Sequence, residues 1–139
     1  MEPQQWTDAA FVAAVESATY PGAAFRHREH VRLAWLCLRA EGFVAGLERL
    51  RVLIRGFATA NGAPGKFHET QTRAWAELVQ AALDRAPRVD SFDDFLALHT
   101  ELADSRRLVR HYRPETLGSE RARDTWCPPD LEPLPRRIG

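Results

Sequence analysis

The chain has little lysine, little cysteine and no excess charge of either sign. Its 19 acidic residues balance 19 basic ones, of which Lys66 alone is a lysine. A formal net charge of zero gives no field that would attract nucleic acid or an anionic membrane, so we expect neither partner. Cys37 and Cys127 form no CxxC pair, and two such isolated cysteines favour a reduced, cytoplasmic protein.

Long apolar runs are also missing. No run approaches the roughly 20 residues that a membrane span needs, and the first residues lack the pattern of a secretory leader. At 139 residues and 45% apolar composition, the chain suits one globular domain whose core needs no disulfide or structural metal. We therefore predict a single domain.

Apolar residues recur at helical spacing along most of the sequence, and no useful length alternates with a period of two. Thr7 predicts the cap of a first helix, from about Asp8 to Ala18, and Ser91 predicts the cap of a later one. Gly42 predicts the end of the second helix, and Asn61 and Gly62 the end of the third. We predict an all-α bundle of five to seven helices.

The predicted helices divide the chain into three parts. Residues 1–20 hold a capping helix, residues 25–113 the core helices, and residues 114–139 a short helix followed by a tail. This tail contains Pro128, Pro129, Pro133 and Pro135, which predict an extended path across the bundle. Leu131 and Leu134 are expected to attach it to the core.

The stretch from Phe25 to Arg39 predicts a central, mostly buried helix. Its one charged stripe consists of Arg28, Arg32 and Arg39, which we interpret as a solvated face rather than an anion site or a homodimer contact. His27 and His30 lie three residues apart on the side away from these arginines. Both imidazoles are therefore expected to enter the core region near the start of the helix.

A second group of polar residues opens the helix predicted from Phe67 to about Ala86. Gln71 falls in the middle of its apolar stripe, where a buried amide would need partners. His68 and Thr72 flank the same stripe, and Trp75 follows one turn later. Glu69 points away from the stripe and is expected to pair with Arg73.

These two groups predict a polar pocket between two helix starts. His27, His30 and His68 could act as general acids and bases, or as three metal ligands that suit zinc. Glu29 would add the carboxylate that suits ferrous iron. Gln71, Thr72 and Tyr112 are further catalytic candidates, and Trp35, Lys66, Trp75 and His111 are substrate-binding candidates. The alternative is that the histidines are interior groups with a purely structural role.

Several stronger signatures are absent. The segment HREH is not the HExxH of metalloproteases, and no histidine follows a glutamate by three residues as in diiron bundles. Residues 62–66, GAPGK, fail the phosphate-loop pattern because Phe67 stands where Ser or Thr should follow the lysine. Lys66 and this turn can still hold a carboxylate or phosphate, but an ordinary Gly-Pro turn with a solvated lysine is the favoured explanation.

Three stretches together resemble a group of small, uncharacterised all-helical bacterial proteins of unassigned function. They are FRHREHVRLAW at 25–35, KFHETQTRAW at 66–75 and HYRPETLGSERARDTWCPPDLEPLP at 111–135. The resemblance covers most of the chain, from about Phe25 to Pro135. It implies a helical fold and brings no activity, cofactor or substrate with it.

The sequence thus favours a small-molecule enzyme with a histidine-lined pocket. Its chemistry would be metal-dependent or general acid-base, of lyase, hydrolase or oxygenase type, on a small anionic substrate. The competing hypothesis is a non-catalytic ligand-binding or protein-interaction domain whose core histidines are structural.

Overall fold

The computed structural model of the protein describes residues 6–135 and contains, within them, six α-helices, four short 3-10 turns and no β-strand. The helices are α1 (Asp8–Glu16), α2 (His27–Ala60), α3 (Glu69–Arg85), α4 (Phe92–Leu98), α5 (Pro114–Leu117) and α6 (Glu120–Asp124). The predicted all-helical class is confirmed. In this part of the chain no helix combines the length and the apolar character needed to cross a membrane.

Helix α2 consists of two segments that meet at Gly42. This glycine has φ 79° and ψ −178°, a conformation that side-chain-bearing residues rarely adopt, so it separates residues 27–41 from residues 43–60. The chain then turns back on itself. A Cβ atom added to Gly46 would lie 2.7 Å from the Cys37 carbonyl oxygen and 2.8 Å from the Leu38 Cα. The two segments therefore touch backbone to backbone, a contact that the sequence pattern does not predict.

The helix ends follow the predicted caps, with small differences. Thr7 Oγ1 accepts a hydrogen bond from the Ala10 amide at 3.1 Å, and Ser91 Oγ accepts one from the Asp94 amide at 3.2 Å. Helix α1 stops at Glu16 instead of Ala18, because Ala18 adopts φ 60°. At the end of α2, Gly62 alone has a positive φ.

The arginine stripe of α2 lies at the surface, as the sequence suggests, with Arg28 and Arg39 exposed, and it also forms ion pairs with other segments. Arg28 pairs with Asp93 at the start of α4, and Arg32 pairs with Asp8 of α1 at 2.8 Å. Arg39 pairs with Asp90 at 3.0 Å. The stripe is therefore a solvated face that also connects α2 to α1 and to the segment at the start of α4.

One hydrophobic cluster connects all the longer helices. Trp35 is fully buried at its centre, 5.7 Å from both Phe92 and Phe95 between ring centroids. Phe11 of α1 and Val79 of α3 are also fully buried. The first segment of α2 is thus central, as predicted.

The C-terminal region differs most from expectation. Leu108 lies in a 3-10 turn, Arg107–Arg110, within the range predicted to hold core helices, and two short helices, α5 and α6, follow where one was predicted. Thr70 of α3 is fully buried, and its hydroxyl donates to the Thr125 carbonyl at 2.7 Å and accepts from the Cys127 amide at 3.0 Å. These hydrogen bonds therefore connect α3 to the segment that follows α6.

The leucines expected to attach the tail behave differently from each other. Leu134 packs against the core, whereas Leu131 is 44% exposed. The expectation for Leu131 was wrong, because its backbone amide, which donates to the His111 carbonyl at 3.0 Å, makes the attachment in place of its side chain.

The contact at Gly46 makes a testable prediction. Gly46→Ala should lower the free energy of unfolding by about 1–3 kcal/mol, since the added methyl meets backbone atoms that cannot rotate away. Urea denaturation followed by circular dichroism measures the change.

Gly56→Ala is the matched control in the same helix. Nothing lies within 4 Å of a Cβ atom there, so alanine should stabilise the helix by about 0.5–1 kcal/mol. Equal responses of the two variants would contradict the close crossing.

Candidate functional site

A pocket of about 240 Å³ lies where the start of α2, its second segment and the start of α3 meet. We call it the histidine pocket. Its polar lining residues are His27, His30, Lys66, His68, Gln71, Thr72 and Ser105, and its apolar ones are Ala34, Leu50, Ile54 and Trp75. The three histidines that the sequence singled out therefore border one space.

His68 lines this pocket and also begins α3. Its Nδ1 accepts a hydrogen bond from the Gln71 amide at 3.0 Å, which makes His68 the helix cap. Its Nε2–H donates to the Leu117 carbonyl at 2.8 Å. Both ring nitrogens are thus engaged and the tautomer is defined by its partners, so His68 has a structural role whatever else it does.

The start of α3 is also fixed to α2 by an ion pair. Arg51 Nε lies 3.0 Å from both carboxylate oxygens of Glu69, and a terminal guanidinium nitrogen lies 2.7 Å from one of them. The predicted pairing of Glu69 with Arg73 was wrong, because Arg73 pairs with Glu77 instead. The bidentate pair holds His68, the neighbour of Glu69, beside the second segment of α2.

His27 is partly engaged. Its Nε2–H donates to the Leu102 carbonyl at 2.8 Å, and its ring meets the Trp75 ring edge-on at 4.5 Å between centroids. The bond to a carbonyl requires the proton on Nε2, so in the neutral ring Nδ1 keeps its lone pair. His27 therefore connects α2 to the Leu102 segment and retains one acceptor.

His30 differs from the other two. No hydrogen bond to its ring is present among residues 6–135, and its nearest aromatic neighbour is Phe25, 4.6 Å away between centroids. The side chain of His30 is exposed to solvent, although protein atoms surround much of the histidine pocket that it lines. Burial, and then the positive charge of protonated His27, lower the pKa of His30 to about 4. At neutral pH His30 is an uncharged acceptor.

Lys66 supplies the only permanent charge among the described residues that line the pocket. It ends the 3-10 turn Pro64–Lys66, is exposed, and forms no ion pair with any described residue. No Asp or Glu of residues 6–135 belongs to the lining. The pocket is therefore electrostatically suited to an anion.

Of the other site residues predicted on α3, two have the expected burial and one does not. Thr72 is buried and Trp75 is half-buried, as their positions suggest. Gln71 is exposed, so the expectation of a buried glutamine was wrong. Ser105 also lines the pocket, and no periodicity or motif in the sequence indicates it.

Trp35, His111 and Tyr112 do not line the pocket. Trp35 belongs to the core, with Arg39 above its ring. His111 Nδ1–H donates to the Glu132 carbonyl at 2.9 Å, and the Tyr112 hydroxyl donates to the Cys127 carbonyl at 2.7 Å. Burial raises the pKa of Tyr112, which keeps this donor protonated. His111 and Tyr112 thus anchor residues 127–132 through these hydrogen bonds.

The donor geometry does not favour a metal at these histidines. Within residues 6–135 no three His, Cys, Asp or Glu side chains are grouped so that they could hold an ion. Both nitrogens of His68 already have partners. Glu29, the carboxylate considered for iron, accepts from the Arg26 amide at 2.8 Å and so caps its own helix. Proton transfer suits this lining better than zinc or iron chemistry does.

Comparisons with protein-family models, curated proteins and solved structures find no match for this chain. The resemblance drawn from three stretches of sequence stays a prediction. The function has to be inferred from the residues of the pocket.

The two bonds of His68 can be separated by mutation. His68→Asn keeps a good helix cap and loses the bond to Leu117, whereas His68→Ala loses both. We expect His68→Ala to be less stable than His68→Asn by about 1 kcal/mol in urea denaturation. Equal stabilities would mean that His68 does not cap α3.

The lowered pKa of His30 predicts a pH dependence of stability. Between pH 6.5 and about 4, the unfolded chain takes up a proton at this residue that the folded chain does not, so stability falls as pH falls through this window. His30→Gln should flatten this part of the profile. Because the ring is accessible, solvent screens the effect, and its direction is what we predict.

The measurement is urea denaturation of both proteins at pH 7 and at pH 5. The His30 ring signals in NMR should also titrate well below pH 6.5. Parallel stability profiles, or an ordinary titration of the ring, would contradict the assignment.

Proposed function

We propose that the chain is a small-molecule enzyme that binds a small organic anion in the histidine pocket. Lys66 holds the negative group, and His30 accepts a proton from the bound molecule. One observation carries the proposal: an unpaired ammonium and an unpaired, neutral imidazole line the same pocket, whose described lining contains no carboxylate.

Lys66 is suited to the first task because nothing described competes for it. The other pocket residues bring no permanent charge, so a ligand carboxylate or phosphate would meet one cation and no described anion. Charge-assisted hydrogen bonds of this kind are about twice as strong as neutral ones. The pocket therefore favours anionic over neutral molecules of the same size.

His30 is suited to the second task once the anion is present. Alone, a base with a pKa of about 4 is weak at neutral pH. A negative charge bound nearby stabilises the imidazolium and raises that pKa toward the working range. Anion binding would thus activate the base, which ties proton abstraction to the correct ligand.

The neighbours of His30 would orient the substrate. Nδ1 of His27 can accept a hydrogen bond, and Thr72, Gln71 and Ser105 bring groups that can donate or accept. Trp75 gives the pocket a flat apolar wall. These roles complete a small polar site next to a single planar surface.

A non-catalytic ligand-binding domain is the second candidate. It is favoured by the structural bonds of His27 and His68, which leave His30 as the one histidine of the pocket with no described hydrogen bond. Acid-base catalysis commonly uses two titrating groups, and a binding site needs none.

For the chain as a whole, we infer a single domain that acts in the cytoplasm, with an extended proline-rich tail and no nucleic-acid or membrane partner. The balanced charge and the connected core support this. A homodimer is compatible with it.

Exchange of carbon-bound protons in D2O tests the enzyme directly. A panel of 2-oxo acids, 3-oxo acids and phenylacetate is incubated with the protein at pH 7. Loss of the NMR signal of the acidic carbon-bound proton, on C3 of the 2-oxo acids and on C2 of the others, is followed with time. His30→Gln should slow the exchange by about 100-fold or more while the acid still binds. Lys66→Met should weaken binding by about tenfold or more, and Lys66→Arg should retain most of it.

The possible outcomes separate the two candidates. Exchange that is unchanged in His30→Gln would contradict the role of His30. Binding at Lys66 without exchange or turnover of any acid would favour the non-catalytic domain. If no acid perturbs the signals of either residue, both candidates fail.

A further inference from the structure

A second pocket, of about 410 Å³, adjoins the histidine pocket. We call it the apolar pocket. Its walls are Ala23, Phe25, Ile54, Phe57 and Ala58, contributed by the turn before α2 and by the second segment of that helix. It has room for a substantial apolar group, since an engineered cavity of about 150 Å³ binds benzene.

The two pockets share His30, Ile54 and Lys66. A residue that lines both must stand at their boundary, so the unpaired imidazole and the unpaired ammonium lie between a polar space and an apolar one. A molecule bound to Lys66 can therefore extend to either side.

Part of the wall of the apolar pocket is closely packed. The rings of Phe25 and Phe57 are 4.7 Å apart between centroids, and Ile54 and Phe57 are more than nine-tenths buried. Asn61 Nδ2 donates to the Phe57 carbonyl at 2.8 Å, which secures the last turn of α2 beside the pocket. The space is thus held open by packed side chains and a capped helix end.

Three residues supply the polar side chains of the described lining of the apolar pocket. His30, Asn61 and Lys66 are the polar members of its described lining, and no described carboxylate joins them. Water beside Phe25, Ile54 and Ala58 would find few hydrogen-bond partners. An apolar group of a ligand can therefore replace this water without the loss of favourable hydrogen bonds. Charge and apolar surface together select a molecule that has both.

From this geometry we propose that the ligand is an amphipathic acid. Its carboxylate binds Lys66 beside His30, and its apolar body, an aromatic ring or a short alkyl chain, fills the apolar pocket. The inference rests on the proposed anion site and names the class of molecule that would use it.

A ligand series tests this class with the full chain at pH 7. Acetate, butanoate, hexanoate and phenylacetate are titrated into labelled protein, and their dissociation constants are obtained from NMR shifts. Affinity should rise about fourfold for each added methylene until the pocket is full. Phenylacetamide, the neutral counterpart of phenylacetate, should bind at least tenfold more weakly, and Lys66→Met should abolish that difference.

Ala58→Leu locates the apolar body. The larger side chain occupies part of the apolar pocket, so hexanoate and phenylacetate should lose part of their advantage over acetate, while acetate itself binds as before. Ala60→Leu is the matched control, because Ala60 is exposed in the same helix and does not line the pocket. Ala23→Leu narrows the pocket from the opposite wall and replaces Ala58→Leu if that variant fails to fold.

Each result has one interpretation. Equal affinities along the series, with acetate still bound through Lys66, would overturn the amphipathic class and leave the anion site intact. A rising series that Ala58→Leu and Ala23→Leu do not alter would also overturn it, since the apolar body would then lie elsewhere. Binding that follows the prediction without proton exchange would count against catalysis and support the ligand class.

Discussion

The backbone contact between the two segments of α2 is the constraint on which the rest of the structure depends. Gly42 breaks the helix, and Gly46 lets the returning segment touch Cys37 and Leu38 without an intervening side chain. Helices whose backbones approach this closely also bring the residues further along them close together. That is how Ala34 of the first segment comes to share a pocket with Ile54 of the second.

Three histidines border this pocket, and their different hydrogen bonds give them different capacities. His68 uses both ring nitrogens to cap α3 and to reach Leu117, and His27 uses one to reach Leu102. These bonds secure the pocket walls, because they connect two helix starts to distant parts of the chain. Because His27 and His68 already make the bonds that connect these segments, the ring of His30 makes no such bond and is available to a ligand.

The sequence was sufficient for the longer helices and for the convergence of His27, His30 and His68, since helical period, glycine breaks and capping residues act locally. The sequence was insufficient to predict which groups these histidines bind. The carbonyls that His27 and His68 bind are 75 and 49 residues away, and no periodicity reports a bond of that range. The same limit explains Tyr112, a plausible site residue by composition whose hydroxyl binds the Cys127 carbonyl. Periodicity assigns a residue to a face, and only the packed chain decides what that face meets.

The contacts of the arginines suggest why the chain has a single lysine. Arg28, Arg32 and Arg51 each pair with a carboxylate of another element, so their charges are used within the fold. An ammonium on a flexible stem is a poorer partner than a guanidinium for such bidentate or stacked contacts. The single lysine stands instead at a pocket boundary with no described counter-ion, where a mobile point charge can follow a ligand. A chain with balanced charges therefore still presents one local positive site, and the neutral imidazole beside it is the group whose protonation a bound anion would favour.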